Sequence, residues 1–323
     1  MSLQDSSENS TKSFLQGLFT LSRPFNSTLA GLATIIGILI SIGLNEVGNY
    51  AAEMILAALV TSLIAAGGYV INDYFDAEID KINQPQRAIP SNKVSMHQAY
   101  TYALLLFALG FILSFFLAFL ENSDFLTFLL TPCLALLGIL CLYLYAYYFK
   151  RTAGVGNLVI TILVCIPLLY GGTITNHYHQ TVYPILVAST LMFGREVIKD
   201  VEDVKGDKLG SSVDEKSITT LPMVIGIKNT ANLGKGILIL FLLFSPIAFL
   251  TPDITIFQSW ALLICIVIAD ILVAYSIINL KGTEEELIQN ATKSKRLLKS
   301  TIAFGVLGLL LASITPFTQI FPK

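Results

Sequence analysis

Nine long apolar blocks run along this 323-residue chain, at roughly 26–44, 51–72, 98–120, 125–148, 155–174, 181–198, 235–251, 256–280 and 298–316. Each is near the about 20 mostly apolar residues that a helix needs to cross hydrocarbon. Inside hydrocarbon every backbone N–H and C=O must be satisfied within the structure, which leaves helices or a closed barrel. These blocks are rich in Leu, Ile, Ala and Gly and are too long for barrel strands. The pattern predicts an all-α fold, a polytopic membrane bundle of nine transmembrane helices. The polar start, MSLQDSSENSTKS, lacks the basic opening of a signal peptide. That start is expected to be a short disordered tail, with 1–22 a polar N-terminal tail and 23–318 a single transmembrane domain.

Composition narrows the class. Hydrophobic residues make up 54% of the chain and charged residues 13%, about half the 25% usual in soluble domains. Mean hydropathy is +0.71, and the pI is about 5.9. A soluble enzyme, a disordered chain and a nucleic-acid binder are excluded. Basic residues favour cytoplasmic loops, and nineteen of the 20 Lys and Arg fall before block one or near alternate connections; only Lys323 lies on the other side. That partition puts the N-terminus in the cytoplasm, the C-terminus outside, and the protein in the cytoplasmic membrane.

Few residues compete for chemistry. Cys133, Cys141, Cys165 and Cys265 all sit in apolar blocks with no CxxC pair, so they read as small core residues rather than disulfides or a zinc site. His177 and His179 read as exposed loop residues. Asp270, deep in a span, reads as a structural hydrogen-bonding group, and Glu284, Glu285 and Glu286 as a solvated helix start.

Two acidic segments stand apart. The second block ends in Gly67-Gly68-Tyr-Val-Ile-Asn72-Asp73-Tyr-Phe-Asp76-Ala-Glu78-Ile-Asp80-Lys81. The sixth ends in Gly194-Arg195-Glu196-Val-Ile-Lys199-Asp200-Val-Glu202-Asp203-Val-Lys205-Gly206-Asp207-Lys208. A shift of 127 residues superposes Gly67 on Gly194, Asp73, Asp76 and Asp80 on Asp200, Asp203 and Asp207, and Lys81 on Lys208. This is a weak internal duplication relating spans 1–4 to spans 5–8. Positions i, i+3 and i+7 share a helix face, so each segment presents three carboxylates as a stripe, and Asn72 joins the first through its i+4 spacing to Asp76. Like charges so placed repel, and desolvation at the membrane edge adds to the cost. A cation is needed, and oxygen ligands of this kind suit Mg²⁺ together with substrate phosphates. No nucleic acid and no obligate protein partner is implied.

These residues resemble the UbiA superfamily of intramembrane prenyltransferases, nine-helix enzymes whose two signatures are similar to Asn72-xxx-Asp76-xxx-Asp80 and Asp203-xxx-Asp207. Asn83-x-Pro85-x-Arg87-x-Ile89-Pro90-Ser91 is similar to a downstream loop of several branches, with Ala88 where Pro is usual and Asn92 where Gly is usual. Arg23-Pro24-x-Asn26, Tyr145-xxxx-Lys150 with Gly156-Asn157, and Thr220-Leu221-Pro222 with Gly226 match further landmarks. The resemblance covers nearly the whole chain, making 23–318 one UbiA-like domain. It implies transfer of a prenyl group from an allylic polyprenyl diphosphate to an amphiphilic acceptor, with membrane lipid as the medium. It further implies Mg²⁺ held by Asn72, Asp76, Asp80, Asp203 and Asp207, with Asp200 a candidate ligand. Asp76, Asp80, Asp203 and Asp207 are then the catalytic acids, and Arg87, Lys150, Lys199, Asn26 and Tyr145 contact the diphosphate. The segment from Arg195 to Asp207 most resembles the branch that adds a second geranylgeranyl chain to an isoprenyl glycerol phosphate.

Three readings therefore compete: that ether-lipid reaction, prenylation of an aromatic quinone precursor or porphyrin side chain, and a carboxylate-lined cation transporter. Transporters place ion sites near the midplane, whereas these acids lie at span ends beside phosphate-suited cations. Replacing Asp76 or Asp203 with Ala is expected to abolish Mg²⁺-dependent prenyl transfer in isolated membranes while expression is kept. Near-normal turnover in either variant removes the two-stripe reading.

Overall fold

The structure, a computed structural model, describes residues 3–120, 125–213, 219–247 and 259–314. Among the described residues it is all-helical, with twelve α-helices, two 3-10 turns and no strand. The helices are α1 (Leu3–Leu21), α2 (Pro24–Ile42), α3 (Ala51–Phe75), α4 (Ala77–Asn83), α5 (Met96–Leu120) and α6 (Phe125–Tyr147). They continue as α7 (Val155–Ile174), α8 (His179–Val213), α9 (Leu221–Ile225), α10 (Ile227–Phe244), α11 (Trp260–Asn279) and α12 (Glu284–Ile314).

Eight of these, α2, α3, α5, α6, α7, α8, α10 and α11, are long and apolar enough to cross a bilayer. The protein is an integral, multi-pass membrane protein. The ninth apolar block, 298–316, lies in the second half of α12 and runs past residue 314, out of the described residues.

Three expectations shift. The tail is not disordered, since α1 is helical from Leu3 to Leu21. Phe14, Gly17, Leu18 and Leu21 recur at helical spacing; Gly17 lies against Val94, and Leu21 is fully buried. α8 outruns its apolar block because the charged segment continues the helix. α10 starts at Ile227 rather than at 235: Gly226, at φ +85°, turns the chain out of α9 in a conformation that suits glycine, and the helix propagates from there.

The chain divides into two compact units, residues 1–35 with 52–148, and residues 36–51 with 149–323. In the first, small residues let backbones approach. Gly31 of α2 lies against Ala58 of α3, Gly67 of α3 against Phe107 of α5, and Gly68 against Leu142 of α6. The Thr34 hydroxyl donates to the Thr61 hydroxyl at 2.9 Å, tying α2 to α3. α3 breaks at Asp76 (φ −90°, ψ −3°). Even so, the Asp76 N–H still donates to the Asn72 carbonyl and the Asp80 N–H to the Asp76 carbonyl, so the helical register carries through.

The second unit has a core of Leu191, Ile198, Val201, Leu238, Phe241, Val273 and Leu298, among others, drawn from α8, α10, α11 and α12. Gly194 of α8 sits against Leu238 of α10, and Gly234 of α10 against Ile198 of α8, a reciprocal fit. The Ser245 hydroxyl donates to Asp270 at 2.8 Å, the structural bond expected of that residue. At the start of α12, the Thr283 N–H donates to Glu286 Oε2 at 2.7 Å. That bond and one from the Thr283 hydroxyl hold this exposed carboxyl below the usual carboxylate range. The four cysteines are free, and the two histidines are exposed.

The close α2–α3 approach is testable. A Cβ on Gly31 would fall 2.7 Å from the Ala58 carbonyl oxygen, backbone that cannot rotate aside. Gly31→Ala should cost about 1–3 kcal/mol, read as a lowered melting temperature in detergent. Gly305→Ala, with nothing within 4 Å of its added methyl, should leave it unchanged.

Candidate active site

The first acidic segment closes α3 and continues into α4. Asp73 and Asp80 are each only 5% exposed, and each is paired with arginine. The Arg23 guanidinium donates from Nη2 to Asp73 Oδ1 at 2.6 Å, and Arg87 Nη1 reaches the same oxygen at 3.3 Å. Arg87 Nη1 also donates to Asp80 Oδ2 at 2.6 Å, while its Nε donates to Gln84 Oε1 at 2.8 Å. The result is a continuous relay, Arg23–Asp73–Arg87–Asp80. The cation that the stripe demanded is thus partly supplied by two arginines. Asp76, half-buried at the break, accepts from Asn72 Nδ2 at 2.9 Å, so those two ligand candidates are adjacent.

Backbone geometry supports the relay. Arg23 has φ +44°, a left-handed conformation unusual for a residue with a side chain, at the turn between α1 and α2. Its guanidinium lies 5.0 Å from the Tyr69 ring centroid. The loop carrying Arg87 returns through Asn92 at φ +59°. Asn tolerates this conformation, which explains how it stands where the related loop has Gly.

Aromatic rings gather where α3 ends. Phe75 is edge-on to Tyr143 at 5.6 Å and 5.4 Å from Tyr147, and Tyr74 is 5.1 Å from Tyr100. Tyr145 is half-buried on α6, and Asn26, on the first turn of α2, is exposed with no hydrogen bond to a described residue.

The second acidic segment runs along α8. Asp200 accepts from Asn157 Nδ2 of α7 at 2.9 Å. Glu196, buried, pairs with Arg195 and lies 3.5 Å from Lys199 Nζ. Glu202 pairs with Lys295 of α12. Asp203 is half-buried and makes no hydrogen bond or ion pair among the described residues; its cationic neighbours are Lys199 and Lys295. The Asp207 side chain lies outside the described residues. Lys150 lies in the 3-10 turn Phe149–Arg151.

A family model described as the UbiA prenyltransferase family matches residues 30–299. The chain belongs to the UbiA prenyltransferase family. A digeranylgeranylglyceryl phosphate synthase from Saccharolobus solfataricus is 33% identical over 314 residues, 95% of this chain and 99% of that protein. A solved structure of a digeranylgeranylglyceryl phosphate synthase is 30% identical, with a TM-score of 0.74 over 93% of this chain and 99% of that one. A UbiA homolog from Archaeoglobus fulgidus bound to GPP and Mg²⁺ shares the fold at 15% identity, with a TM-score of 0.61 over 91% and 99%.

For a UbiA family member the donor set is chemically apt. Asn72, Asp76 and Asp80 in one unit, and Asp200 and Asp203 in the other, offer only hard oxygen ligands, the kind Mg²⁺ prefers. Among the described residues no three His, Cys, Asp or Glu are already gathered around one point.

Sequence reasoning missed the partners more than the acids. Arg23 reads in sequence as a topology signal and landmark, although a cation abutting a span is itself a signal. Lys295 carries no signal of its own because its pairing depends on the fold, whereas Gln84 with Arg87 and Glu196 with Lys199 stand at the local i,i+3 spacing. Glu196 is open to test. Removing one partner of a buried pair costs about 3–5 kcal/mol, so Glu196→Ala should clearly lower the melting temperature in detergent, and Glu196→Gln should lower it less.

Proposed function

We propose that the chain is a Mg²⁺-dependent prenyltransferase that moves a geranylgeranyl group from its diphosphate to geranylgeranylglyceryl phosphate, in isoprenoid ether lipid synthesis. One observation carries this reading. The Saccharolobus protein, matched along 95% of this chain and 99% of its own length, bears the name of that activity. The motif-bearing acids stand in the same chain.

The proposed enzyme has nine spans, an N-terminus in the cytoplasm, and Asp-rich cytoplasmic ends on spans 2 and 6, in keeping with the sorting of its basic residues. Residues 23–318 act as one prenyltransferase domain, with spans 1–4 and 5–8 weakly repeated, in the cytoplasmic membrane.

Asn72, Asp76 and Asp80, and likewise Asp203 and Asp207 with Asp200 a candidate ligand, would hold Mg²⁺. Bound there, the metal would supply charge neutralisation for the leaving diphosphate. Arg87, Lys150, Lys199, Asn26 and Tyr145 hold the leaving diphosphate, Arg by bidentate contact and Lys as a point charge. The diphosphate departs with the bonding electron pair. The acceptor hydroxyl oxygen then bonds to the allylic carbon, and its proton is released. Ring faces such as those around Phe75 favour a developing cation, and the apolar helices limit its capture by water. The acceptor's own phosphate needs a further cation. Arg195 suits it, since its Nε is buried with no hydrogen-bond partner among the described residues.

An acceptor panel with geranylgeranyl diphosphate tests the assignment, using geranylgeranylglyceryl phosphate, 4-hydroxybenzoate, homogentisate and a dihydroxynaphthoate. Geranylgeranylglyceryl phosphate should be turned over fastest by about tenfold or more, a difference worth about 1.4 kcal/mol in the barrier. Preference for an aromatic acid would replace the acceptor while leaving prenyl transfer in place.

A further inference from the structure

We propose that Arg87 is a resident counter-ion on Asp80, exchanged for the metal when an allylic diphosphate arrives, and that Arg23 permits the exchange by remaining on Asp73. The inference rests on the Mg²⁺–diphosphate reading above and adds an order of events to it.

Asymmetry within the relay carries the argument. Asp73 Oδ1 is held at 2.6 Å by Arg23 and at only 3.3 Å by Arg87. Asp80 Oδ2 is held at 2.6 Å by Arg87, and no other cation among the described residues pairs with it. Both carboxylates are buried, and a buried charge whose partner leaves is strongly disfavoured. Arg87 therefore cannot quit Asp80 unless another cation takes its place. A metal ion cannot take Asp80 without displacing a guanidinium that then needs an anion of its own. An allylic diphosphate is such an anion, matched to the Arg fork. Metal and diphosphate thus each relieve the cost that the other creates, and their binding is coupled.

Arg23 limits the disturbance to one carboxylate. With Arg23 in place, Asp73 keeps a close cation when Arg87 swings away. The strained left-handed backbone of Arg23 (φ +44°) and the Tyr69 ring beneath its guanidinium fix it at that post. Such strain persists only where the surroundings over-determine it. Gln84, bonded to Arg87 Nε, tethers the other edge of the moving guanidinium.

The test uses the purified full-length chain in detergent, with Mn²⁺ as the probe, free Mn²⁺ read by its paramagnetic resonance signal. A non-reactive geranylgeranyl thiolodiphosphate serves as the anion. In the wild type the analogue should tighten Mn²⁺ binding by about tenfold or more, within the usual range of coupling between sites. In Arg87→Gln, Mn²⁺ alone should bind about tenfold more tightly than to the wild type, and the analogue should add little. Arg87→Lys, which lacks the fork, should fall between the two. Arg23→Gln should reduce the coupling, and Arg23→Lys should recover part of it. Melting temperatures identify any variant that has lost its fold, and the Arg→Lys pair then carries the test. The proposal is overturned if the wild type shows coupling while folded Arg87→Gln or Arg87→Lys binds Mn²⁺ alone no better. A wild type that binds neither Mn²⁺ nor the analogue overturns the metal–diphosphate reading as well.

Discussion

A carboxylate buried in a membrane protein must meet a cation, a hydrogen-bond donor or a proton, and Asp73 shows how much structure a cationic answer can organise. It is nearly inaccessible at the end of a spanning helix, with one oxygen between two guanidiniums. Satisfying it draws the α1–α2 turn into a left-handed conformation at Arg23. It likewise brings the loop after α4 back so that Arg87 reaches both Asp73 and Asp80. Gly17 of α1, lying against Val94 beyond that loop, completes the same local assembly. Nothing comparable would be needed in a soluble domain, where water solvates an exposed Asp at little cost.

The second acidic segment meets the same demand by other means. Asp200 stands at the position equivalent to Asp73 under the 127-residue shift, and there the amide of Asn157 donates to it from α7. Arg195 and Lys199 answer Glu196, and Lys295 answers Glu202. Asp203 is left without a direct pair among the described residues. One sequence spacing thus yields a fully paired segment in one unit and a partly unpaired one in the other. Helical periodicity sets which residues share a face, and neighbouring elements set what that face meets.

That distinction also explains what could be read in advance. Long apolar blocks specify spanning helices because hydrocarbon permits almost nothing else, so eight spans and the helical class followed from pattern alone. The acidic spacing similarly placed Asn72 beside Asp76. Boundaries fared worse where polar residues continue a helix, as in α8 beyond residue 198, or where Gly226 starts α10 early. The helical α1 escaped notice because its apolar residues, Phe14, Leu18 and Leu21 among them, follow a polar, Ser-rich start. Partners such as Arg23 and Lys295 come from distant sequence, and no local pattern encodes them. Among 13 Tyr and 20 Phe, only the fold selects Tyr74, Phe75, Tyr100, Tyr143 and Tyr147 as neighbours.

Charge scarcity has a last consequence for binding. In a site rich in solvated lysines, an anion simply adds to charges that water was screening. Here Arg87, Arg195 and Lys199 are each already paired with a carboxylate. On the proposed exchange, a diphosphate takes Arg87 from Asp80, and the acid is given a metal in its place. Binding becomes an exchange whose net cost is low only when metal and anion arrive together. For chemistry that generates a reactive allylic cation, this favours a site that stays electrostatically closed until its leaving group is fully clamped. The same scarcity that marks the chain as a membrane protein therefore bears on when its acids become available to a metal.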